Sequence, residues 1–465
     1  MNRFTNALLR VLAMVLILTL CAAASGCGAS EKRAIKAKME AVMNYTESER
    51  QQISEYLKYS KGVSFSAYKY KNSDKPLRTV KTPDFSTLPD IPELEDTGYV
   101  RASAYVSFAQ DGNQHIQLKG VKDADITVTF NELHTEPYDD SISFTAGVFY
   151  KINVSYRYSA ETSPVFTADS EYELSTTAPL FGGVPSEPVK PILDLHLRDA
   201  YILNGPDEYY YMTGTNDPVD WNNTREIHVY RSADLSSWED LGAVWNFERD
   251  ATWQKDILID SSPIWAPELH YIGGTYWICY SLGWGSMSGS LLRSTTGRPE
   301  GPYADVSGSG KPMFDYIDST LFRDDNGRVY AIWSDGQLQE LSNDLTSLKG
   351  ERVALKSRSG IQAGFEGCFM IKIGGIYYLC SSTYSIHYRS DGSSYQTYDS
   401  FYVMSDNISG PYSERRLLLE NGGHNNLFFS KDGRLFTTAF YGNDFSEKPA
   451  IAEIEVTDEG LLKVR

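Results

Sequence analysis

The sequence predicts a mostly β protein whose C-terminal part is a five-bladed β-propeller. Within the last 260 or so residues, a turn followed by an aromatic-rich strand occurs five times. One turn residue of each copy serves as a marker, and successive markers are 66, 53, 48 and 58 residues apart. The markers are Glu208, Gly274, Gly327, Gly375 and Gly433. A recurring period near 50 residues, with short strands and tight turns, is typical of propeller blades.

Charge and composition argue against several classes of partner. The 465-residue chain carries 43 Lys and Arg against 61 Asp and Glu, a formal net charge of −18. Such a surface repels nucleic-acid phosphates and anionic lipid, so we expect no nucleic-acid partner. Aromatic residues make up 13% of the chain, which is typical both of strands and of surfaces that stack on sugars. The balance suits an extracellular protein that acts on a neutral ligand.

Residues 1–27 have the pattern of a lipoprotein export signal. Arg3 and Arg10 precede an apolar run, residues 11–24, that is shorter than the ~20 residues a membrane-spanning helix needs. The small residues that follow lead into Cys27 and resemble a bacterial lipobox. We therefore predict a lipid on Cys27 and an exported, membrane-anchored protein that faces the cell surface or the periplasm. The alternative is an ordinary signal peptide cut near the end of the apolar run.

Two helices are expected in residues 28–62. Apolar side chains recur there at helical spacing. They are Ala34, Ile35, Met39, Val42 and Met43. Thr46 and Glu49 form a capping-box pattern that starts a second helix, and Gly62 is a stop signal. We interpret this segment as a stalk that lifts the rest of the protein off the membrane.

The middle of the chain is expected to hold a small β-sandwich between two linkers. Residues 63–97 are rich in proline and predict an extended connector. Residues 98–176 show short alternating strands, among them 149–156, and predict the sandwich. This accessory domain either binds sugar, as its resemblance to carbohydrate-associated sandwich modules would imply, or acts as a spacer. Residues 177–192 contain four prolines and two glycines and predict a second linker, which leaves residues 193–465 for the propeller.

Three cysteines remain after the predicted processing, namely Cys279, Cys368 and Cys380. An odd number argues against a disulfide framework, even in an oxidising compartment. If Gly374 and Gly375 form a two-residue hairpin turn, Cys368 and Cys380 point to opposite faces of the hairpin and cannot pair in that register. We expect all three to be small buried hydrophobic side chains.

The most informative pattern lies nine residues before each marker. These positions are Asp199, Trp265, Asp318, Glu366 and His424. The innermost strand of every blade starts at one shared axial pit, so the five side chains should converge. Three are carboxylates, and crowding carboxylates raises the pKa of at least one of them. Hydrolysis of a glycosidic bond needs one protonated and one ionised carboxyl group, which such a pit supplies. The alternative is a ligand-binding pit or a coincidence of strand-starting residues.

Five motifs, in this order along the chain, resemble the blade motifs of glycoside hydrolase family 43. They are Leu197-Arg198-Asp199-Ala200-Tyr201-Ile202, Trp265-Ala266-Pro267-Glu268, Ile317-Asp318-Ser319-Thr320-Leu321-Phe322, Gly364-Phe365-Glu366-Gly367 and Gly423-His424-Asn425-Asn426. The resemblance covers residues 193–464 and implies an inverting hydrolase with Asp199 as general base and Glu366 as general acid. It implies that Asp318 tunes the acid and orients the sugar. It also implies that His424 helps to hold a structural calcium ion through water, with no cofactor required for the chemistry.

Three further residues are candidates for contact with substrate, each with a structural alternative. Trp265 either stacks on a sugar ring or packs the second blade. Arg198 adjoins the expected base and either binds sugar hydroxyls or braces a carboxylate. Glu268 lies six residues before its marker rather than nine, so it is either substrate-binding or structural. For His424, the alternative to a metal site is a buried histidine with hydrogen-bonded neighbours.

The resemblance implies an exo-acting enzyme of the arabinofuranosidase or xylosidase type. Such an enzyme would release α-L-arabinofuranosyl or β-xylosyl residues from plant-type polysaccharide or oligosaccharide. The family commonly has proline after both aspartates, where this chain has Ala200 and Ser319, which leaves the sugar open. A catalytically inactive carbohydrate-binding propeller lipoprotein is the main alternative, and a purely structural surface protein is the third. The sequence has no phosphate-binding glycine loop, nucleophile elbow or His-Glu-x-x-His motif to support other chemistry.

Overall fold

The computed structural model describes the chain in eleven segments. They are residues 30–94, 98–130, 135–159, 161–186, 189–216, 221–257, 263–307, 309–389, 391, 393–441 and 447–465. The predicted export signal and Cys27 lie outside these residues. Within them, an N-terminal unit of two helices and an antiparallel sheet precedes five four-stranded sheets. None of the described helices is long and apolar enough to cross a bilayer.

Two helices open the described chain. Helix α1 covers residues 30–42, and helix α2 covers Glu47–Ser60. The predicted capping box is present, because the Thr46 hydroxyl accepts the Glu49 N–H at 3.3 Å and the Glu49 carboxylate accepts the Thr46 N–H at 2.6 Å. Helix α2 ends two residues before Gly62, the predicted stop signal.

The N-terminal sheet has seven strands and is partnered by two small two-stranded sheets. The strands are β1 (Val63–Tyr68), β2 (Arg78–Thr82), β3 (Tyr99–Phe108), β4 (Gly112–Asn113), β5 (Gln117–Lys119), β6 (Lys122–Thr129), β7 (Thr135–Pro137), β8 (Ser143–Phe144), β9 (Phe149–Arg157), β10 (Val165–Thr167) and β11 (Tyr172–Ser175). The large sheet has the order β2-β1-β3-β9-β6-β7, and β11 pairs with the second half of β3. The small sheets pair β4 with β8 and β5 with β10. Phe144 and Phe166 from the small sheets share one core with Phe108 and Val128 of the large sheet, which accounts for the predicted sandwich.

Strands β1 and β2 correct the prediction of a linker over residues 63–97. Strand β1 pairs with both β2 and β3, and its side chains Val63 and Phe65 are fully buried. The prolines that predicted a connector lie outside the two strands. The proline-rich composition correctly indicated turns, but it did not indicate the short strands β1 and β2.

Twenty further strands form five blades of four antiparallel strands, which confirms the predicted propeller. The first blade consists of β12 (Leu197–Asn204), β13 (Tyr210–Asn216), β14 (Glu226–Ser232) and β15 (Glu239–Asn246), and the second of β16 (Ile264–Ile272), β17 (Thr275–Leu282), β18 (Ser288–Ser294) and β19 (Tyr303–Asp305). The third blade consists of β20 (Thr320–Arg323), β21 (Val329–Trp333), β22 (Gln337–Leu341) and β23 (Leu348–Ala354), and the fourth of β24 (Glu366–Ile373), β25 (Ile376–Tyr388), β26 (Ser394–Ser405) and β27 (Arg416–Leu419). The fifth blade consists of β28 (Leu427–Phe429), β29 (Leu435–Tyr441), β30 (Lys448–Val456) and β31 (Leu462–Val464). The first strands of neighbouring blades contact one another around the axis. Two short helices, α3 (Phe247–Asp250) and α4 (Gln254–Ile257), and a 3₁₀ turn (Trp221–Asn223) lie in the loops.

The fifth blade closes the ring on the first through Asn426. Its side-chain amide donates to the Ile202 carbonyl at 3.0 Å and accepts the Ile202 N–H at 2.9 Å. In the fourth blade, Ile373 pairs with Ile376, so Gly374 and Gly375 form the predicted two-residue turn of the hairpin. The three cysteines in the described chain are free and buried, also as predicted.

The two helices are not a free stalk, which corrects the interpretation drawn from the sequence. Met39 and Val42 of α1 are buried among apolar side chains of the fourth and fifth blades. Glu49 of α2 forms a buried ion pair with Arg416 of β27, with N–O distances of 2.6 Å and 3.1 Å. The apolar spacing that predicted a helix is therefore also the surface that docks it on the propeller.

Candidate active site

Six of the seven candidate residues line one cavity at the propeller axis. The cavity has a volume of about 230 Å³ and opens to solvent. Its lining residues are Arg198, Asp199, Trp265, Trp284, Met287, Ile317, Asp318, Phe365, Glu366, Tyr384, Tyr398 and His424. The cavity thus brings together three carboxylates, from the first, third and fourth blades, and a histidine that precedes the fifth blade. Each of these four residues lies nine positions before its marker, and this shared position in the sequence repeat brings the side chains together.

Left-handed backbone at the start of the inner strands presents these residues to the axis. The φ angles of Asp199, Asp318 and His424 are 53°, 60° and 50°. In the second and fourth blades the left-handed residue follows the axial position and is Ala266 (43°) or Gly367 (63°). This conformation is strained for residues other than glycine, and such strain persists where the surrounding structure holds a functional group in place.

Hydroxyl groups of the preceding blade accept the backbone N–H groups of these left-handed residues. Ser281, in the second strand of blade two, accepts the backbone N–H of Asp318 at 2.8 Å. Ser382, in the second strand of blade four, accepts the backbone N–H of His424. Each buried N–H therefore has a partner, which offsets part of the cost of the backbone conformation.

Thr215 repeats this arrangement between the first two blades. Its hydroxyl accepts the Ala266 N–H at 2.8 Å and donates to Asp199 Oδ2 at 2.6 Å. These hydroxyls were not predicted from the sequence, although a signal for them exists. A hydroxyl residue follows each of the first four markers by seven positions. They are Thr215, Ser281, Ser334 and Ser382.

His424 lies between two carboxylates. Its Nδ1 atom is 3.5 Å from Asp199 Oδ1 and 3.6 Å from Asp318 Oδ2. Burial lowers the pKa of His424, but the nearby carboxylates, led by Asp199 and Asp318, together outweigh burial and raise it above its usual value. Burial raises the pKa of Asp318, the His424 charge opposes this effect, and the Asp199 charge adds to it. The Gly367 N–H also donates to Asp318 Oδ2 at 3.0 Å, which fixes this aspartate beside the start of β24.

Glu366 is the carboxyl group suited to donate a proton. Burial, followed by the nearby Asp318 charge, raises the pKa of Glu366 to about 7. Tyr398 donates its hydroxyl to Glu366 Oε1 at 2.8 Å and is itself buried. Tyr398 was not predicted from the sequence, because a tyrosine in the aromatic-rich third strand of a blade carries no distinguishing pattern. A general acid works best when its pKa lies near the working pH, which Glu366 satisfies at neutral pH.

Arg198 and Trp265 line the cavity and are also held by protein groups. Arg198 Nε lies 3.5 Å from Asp199 Oδ1, and its Nη1 lies 3.0 Å from Glu447 Oε1. This position braces the Asp199 carboxylate. Trp265 is only 7% exposed, and Trp284 meets it edge to face at 5.0 Å. Trp284 is half exposed at the cavity rim, so it offers more ring surface to a ligand than Trp265 does.

Glu268 does not line the cavity, which favours the structural alternative over contact with substrate. It is 5% exposed, and its carboxylate lies 3.1 Å from Nε2 of His270. Tyr201 in turn lies 3.1 Å from the other ring nitrogen of His270. A register shift in β16 between Trp265 and Glu268 turns the two side chains to different environments. Glu268 therefore belongs to a buried polar cluster behind the cavity wall.

The calcium ion expected near His424 stays a prediction, in which water links the ion to the histidine. The described residues contain no group of three or more His, Cys, Asp or Glu side chains arranged to hold a metal ion. His424 Nδ1 faces two carboxylate oxygens, and this contact favours a protonated nitrogen rather than a metal ligand. A calcium ion at this point would take most of its ligands from water.

The comparison with known families identifies the propeller. The sequence profile described as "Glycosyl hydrolases family 43" matches residues 188–461, more than half of the chain. The chain belongs to glycosyl hydrolases family 43. The matched residues contain every strand of the five blades except β31, and every residue that lines the axial cavity.

Three curated proteins illustrate the range of this family 43 chain's relatives. It is 31% identical to "Beta-D-galactofuranosidase xynD" of Aspergillus niger over 40% of this chain and 61% of that protein. It is 27% identical to "Xylosidase/arabinosidase 43B" of Humicola insolens over 59% of this chain and 54% of that protein. It is 26% identical to "Extracellular endo-alpha-(1->5)-L-arabinanase 1" of Bacillus subtilis over 43% of this chain and 64% of that protein. The chain thus spans less than two thirds of the length of each.

Two substitutions in this family 43 site should move the pH dependence of activity in opposite directions. The Tyr398 hydroxyl lowers the pKa of Glu366 and the Asp318 charge raises it. An acid must be protonated to act, so kcat/KM should fall as the pH rises through about 7. Tyr398→Phe should shift this alkaline limb to higher pH, and Asp318→Asn should shift it to lower pH. Profiles of kcat/KM against pH measure both shifts. If the alkaline limb of neither variant moves relative to the wild type, the role of Glu366 as acid is contradicted.

Proposed function

We propose that the protein is an inverting O-glycoside hydrolase that removes α-L-arabinofuranosyl or β-xylosyl residues from the ends of plant-type glycans. The observation that carries this proposal is the axial cavity, where Asp199 and Asp318 flank His424 and a partly buried Glu366 has a pKa of about 7. A pit of this kind provides one carboxyl group that donates a proton and one that accepts it.

In the proposed reaction, Asp199 removes a proton from a water molecule as the oxygen of that water attacks the anomeric carbon. Glu366 donates its proton to the glycosidic oxygen as the bond to the leaving sugar breaks. Asp318 keeps Glu366 protonated before the reaction by raising its pKa. Inversion requires room for the water molecule, which corresponds to a base–acid separation of roughly 6.5–9.5 Å. Thr215 and Arg198 hold the Asp199 carboxylate toward the water.

The cavity and the relatives guide the choice of substrate. The cavity of about 230 Å³ opens to solvent, so a sugar unit can enter it from the surface of the propeller. The relatives carry names of a galactofuranosidase, a xylosidase/arabinosidase and an endo-arabinanase. A screen should therefore include arabinan, arabinoxylan, xylan and galactan fragments and galactofuranosides.

An inactive carbohydrate-binding propeller is the competing function. It would keep the cavity and its affinity for sugar but release no product. Incubation with glycosides that carry a chromogenic leaving group separates the two functions, because only a hydrolase releases the chromophore. Binding of a glycan without release from any substrate in the screen would refute the hydrolase.

We also propose that the protein is exported and anchored by a lipid on Cys27. The apolar run and the small residues that precede this cysteine support the proposal. Cells grown with labelled palmitate should incorporate the label into the wild-type protein and not into Cys27→Ala. Absence of label from the wild-type protein would contradict the anchor.

A further inference from the structure

One wall of the cavity is an elongated hairpin from the fourth blade. Strands β25 and β26 have 13 and 12 residues, whereas the second and third strands of the other blades have five to nine. The inner strand β24 starts at Glu366, which pairs with Ser382. Beyond that pair, Thr383–Tyr388 pairs only with β26. The extra length therefore stands at the end of the blade where Glu366 lies.

The base of this hairpin carries an aromatic wall beside Glu366. Tyr384 pairs with Tyr398 across the hairpin, and their ring centres are 4.8 Å apart. Tyr384 also stacks against Phe365 at 6.1 Å with an interplanar angle of 24°. Tyr398 is the residue that donates to Glu366. Tyr384 lines the cavity and remains 46% exposed, so much of its surface is open to a ligand.

The N-terminal unit supports the same hairpin from outside the propeller. The Tyr56 hydroxyl of α2 donates to the Ile386 carbonyl at 3.2 Å. The Tyr388 hydroxyl lies 2.8 Å from Thr176 Oγ1, next to the end of β11, and Lys81 of β2 lies 5.3 Å from the Tyr388 ring centre. The aromatic wall is thus fixed in advance, which lowers the ordering cost when a ligand packs against it.

We propose that Tyr384 is the platform for the sugar on the leaving side of the cleaved bond, and that the N-terminal unit holds this platform in place. The inference rests on the proposed hydrolase function. An acid that protonates the leaving oxygen must lie on the leaving-group side, and Tyr384 is tied to Glu366 through both Tyr398 and Phe365. The exposed tyrosine ring packs against the C–H face of a sugar. The enzyme therefore selects oligosaccharide or polysaccharide leaving groups over small ones.

The test compares an oligosaccharide with the glycosyl fluoride of the same sugar, whose leaving group has no ring. Tyr384→Ala should lower kcat/KM for the oligosaccharide about tenfold more than for the fluoride. Ile386→Ala is the matched control, because Ile386 is equally exposed on the same hairpin but does not line the cavity. It should leave both values unchanged. Equal losses on the two substrates, or an equal effect of Ile386→Ala, would overturn the platform.

A second variant tests the role of the N-terminal unit. Tyr388→Phe removes only the hydroxyl that contacts Thr176. It should raise KM for the oligosaccharide severalfold while kcat stays unchanged, since the hairpin is positioned less firmly. An unchanged KM would overturn the support role. Failure of the wild-type protein to cleave either substrate would refute the hydrolase function itself, which separates that outcome from failure of the platform.

Discussion

Glu366→Gln should lower kcat on a natural glycan by about 10³-fold, because the amide cannot donate a proton to the leaving oxygen. The substitution preserves the shape of the side chain and its contact with the Tyr398 hydroxyl. Asp199→Asn should cause a loss of similar size, since the amide cannot take a proton from the attacking water. Steady-state kinetics on oligosaccharide measures both losses, and circular dichroism with thermal melting checks that the propeller remains folded.

Glu414→Gln is the matched control for these two variants. Glu414 lies in the same blade as Glu366, is 1% exposed, and has a pKa raised by burial, but it does not line the cavity. It should keep kcat near the wild-type value. Near-full activity in Glu366→Gln or Asp199→Asn would remove the role assigned to that residue.

Glu49→Gln should reduce the free energy of unfolding by about 3 kcal/mol. The carboxylate of Glu49 faces Arg416 with two short contacts, and both side chains are at least nine-tenths buried. Loss of the Glu49 carboxylate removes the negative charge that faces the buried guanidinium group, and only neutral oxygen acceptors remain in contact with it. Glutamine can still accept the Thr46 N–H, so the capping box survives and the effect reports the ion pair. Urea unfolding monitored by fluorescence gives the difference.

Glu55→Gln on the same helix provides the comparison. Glu55 pairs with Lys58, and both side chains are more than half exposed, so the loss of this pair should change the unfolding midpoint little. Equal midpoints for wild type and Glu49→Gln would show that the helices are not docked through this ion pair. The prediction therefore tests whether the N-terminal unit is an integral part of the molecule.

The architecture of the propeller followed from the sequence because its signal is repeated. A residue at or near the start of each inner strand lies nine residues before a marker, and this spacing occurs in all five copies. The capping box at Thr46 was predictable for a different reason, since both of its hydrogen bonds join residues only three apart. Both signals are local in the chain and need no knowledge of distant partners.

The missed features depend on partners that are distant in the chain. Strand β1 pairs with β3, and proline-rich composition between them concealed that pairing. Helix α2 meets Arg416, which lies 367 positions after Glu49, so no local pattern identifies the contact. Tyr398 reaches Glu366 from the third strand of its blade, where aromatic residues are common for reasons of strand propensity. The burial of Glu268 followed from a register shift that periodicity does not report.

The stereochemistry of the first product tests the central claim most directly. That claim is that Asp199 activates water while Glu366 protonates the leaving oxygen, without a covalent sugar–enzyme intermediate. Proton NMR during early hydrolysis of a glycan that the wild-type enzyme cleaves should show the anomer of inverted configuration before mutarotation. A first product with retained configuration would contradict the account.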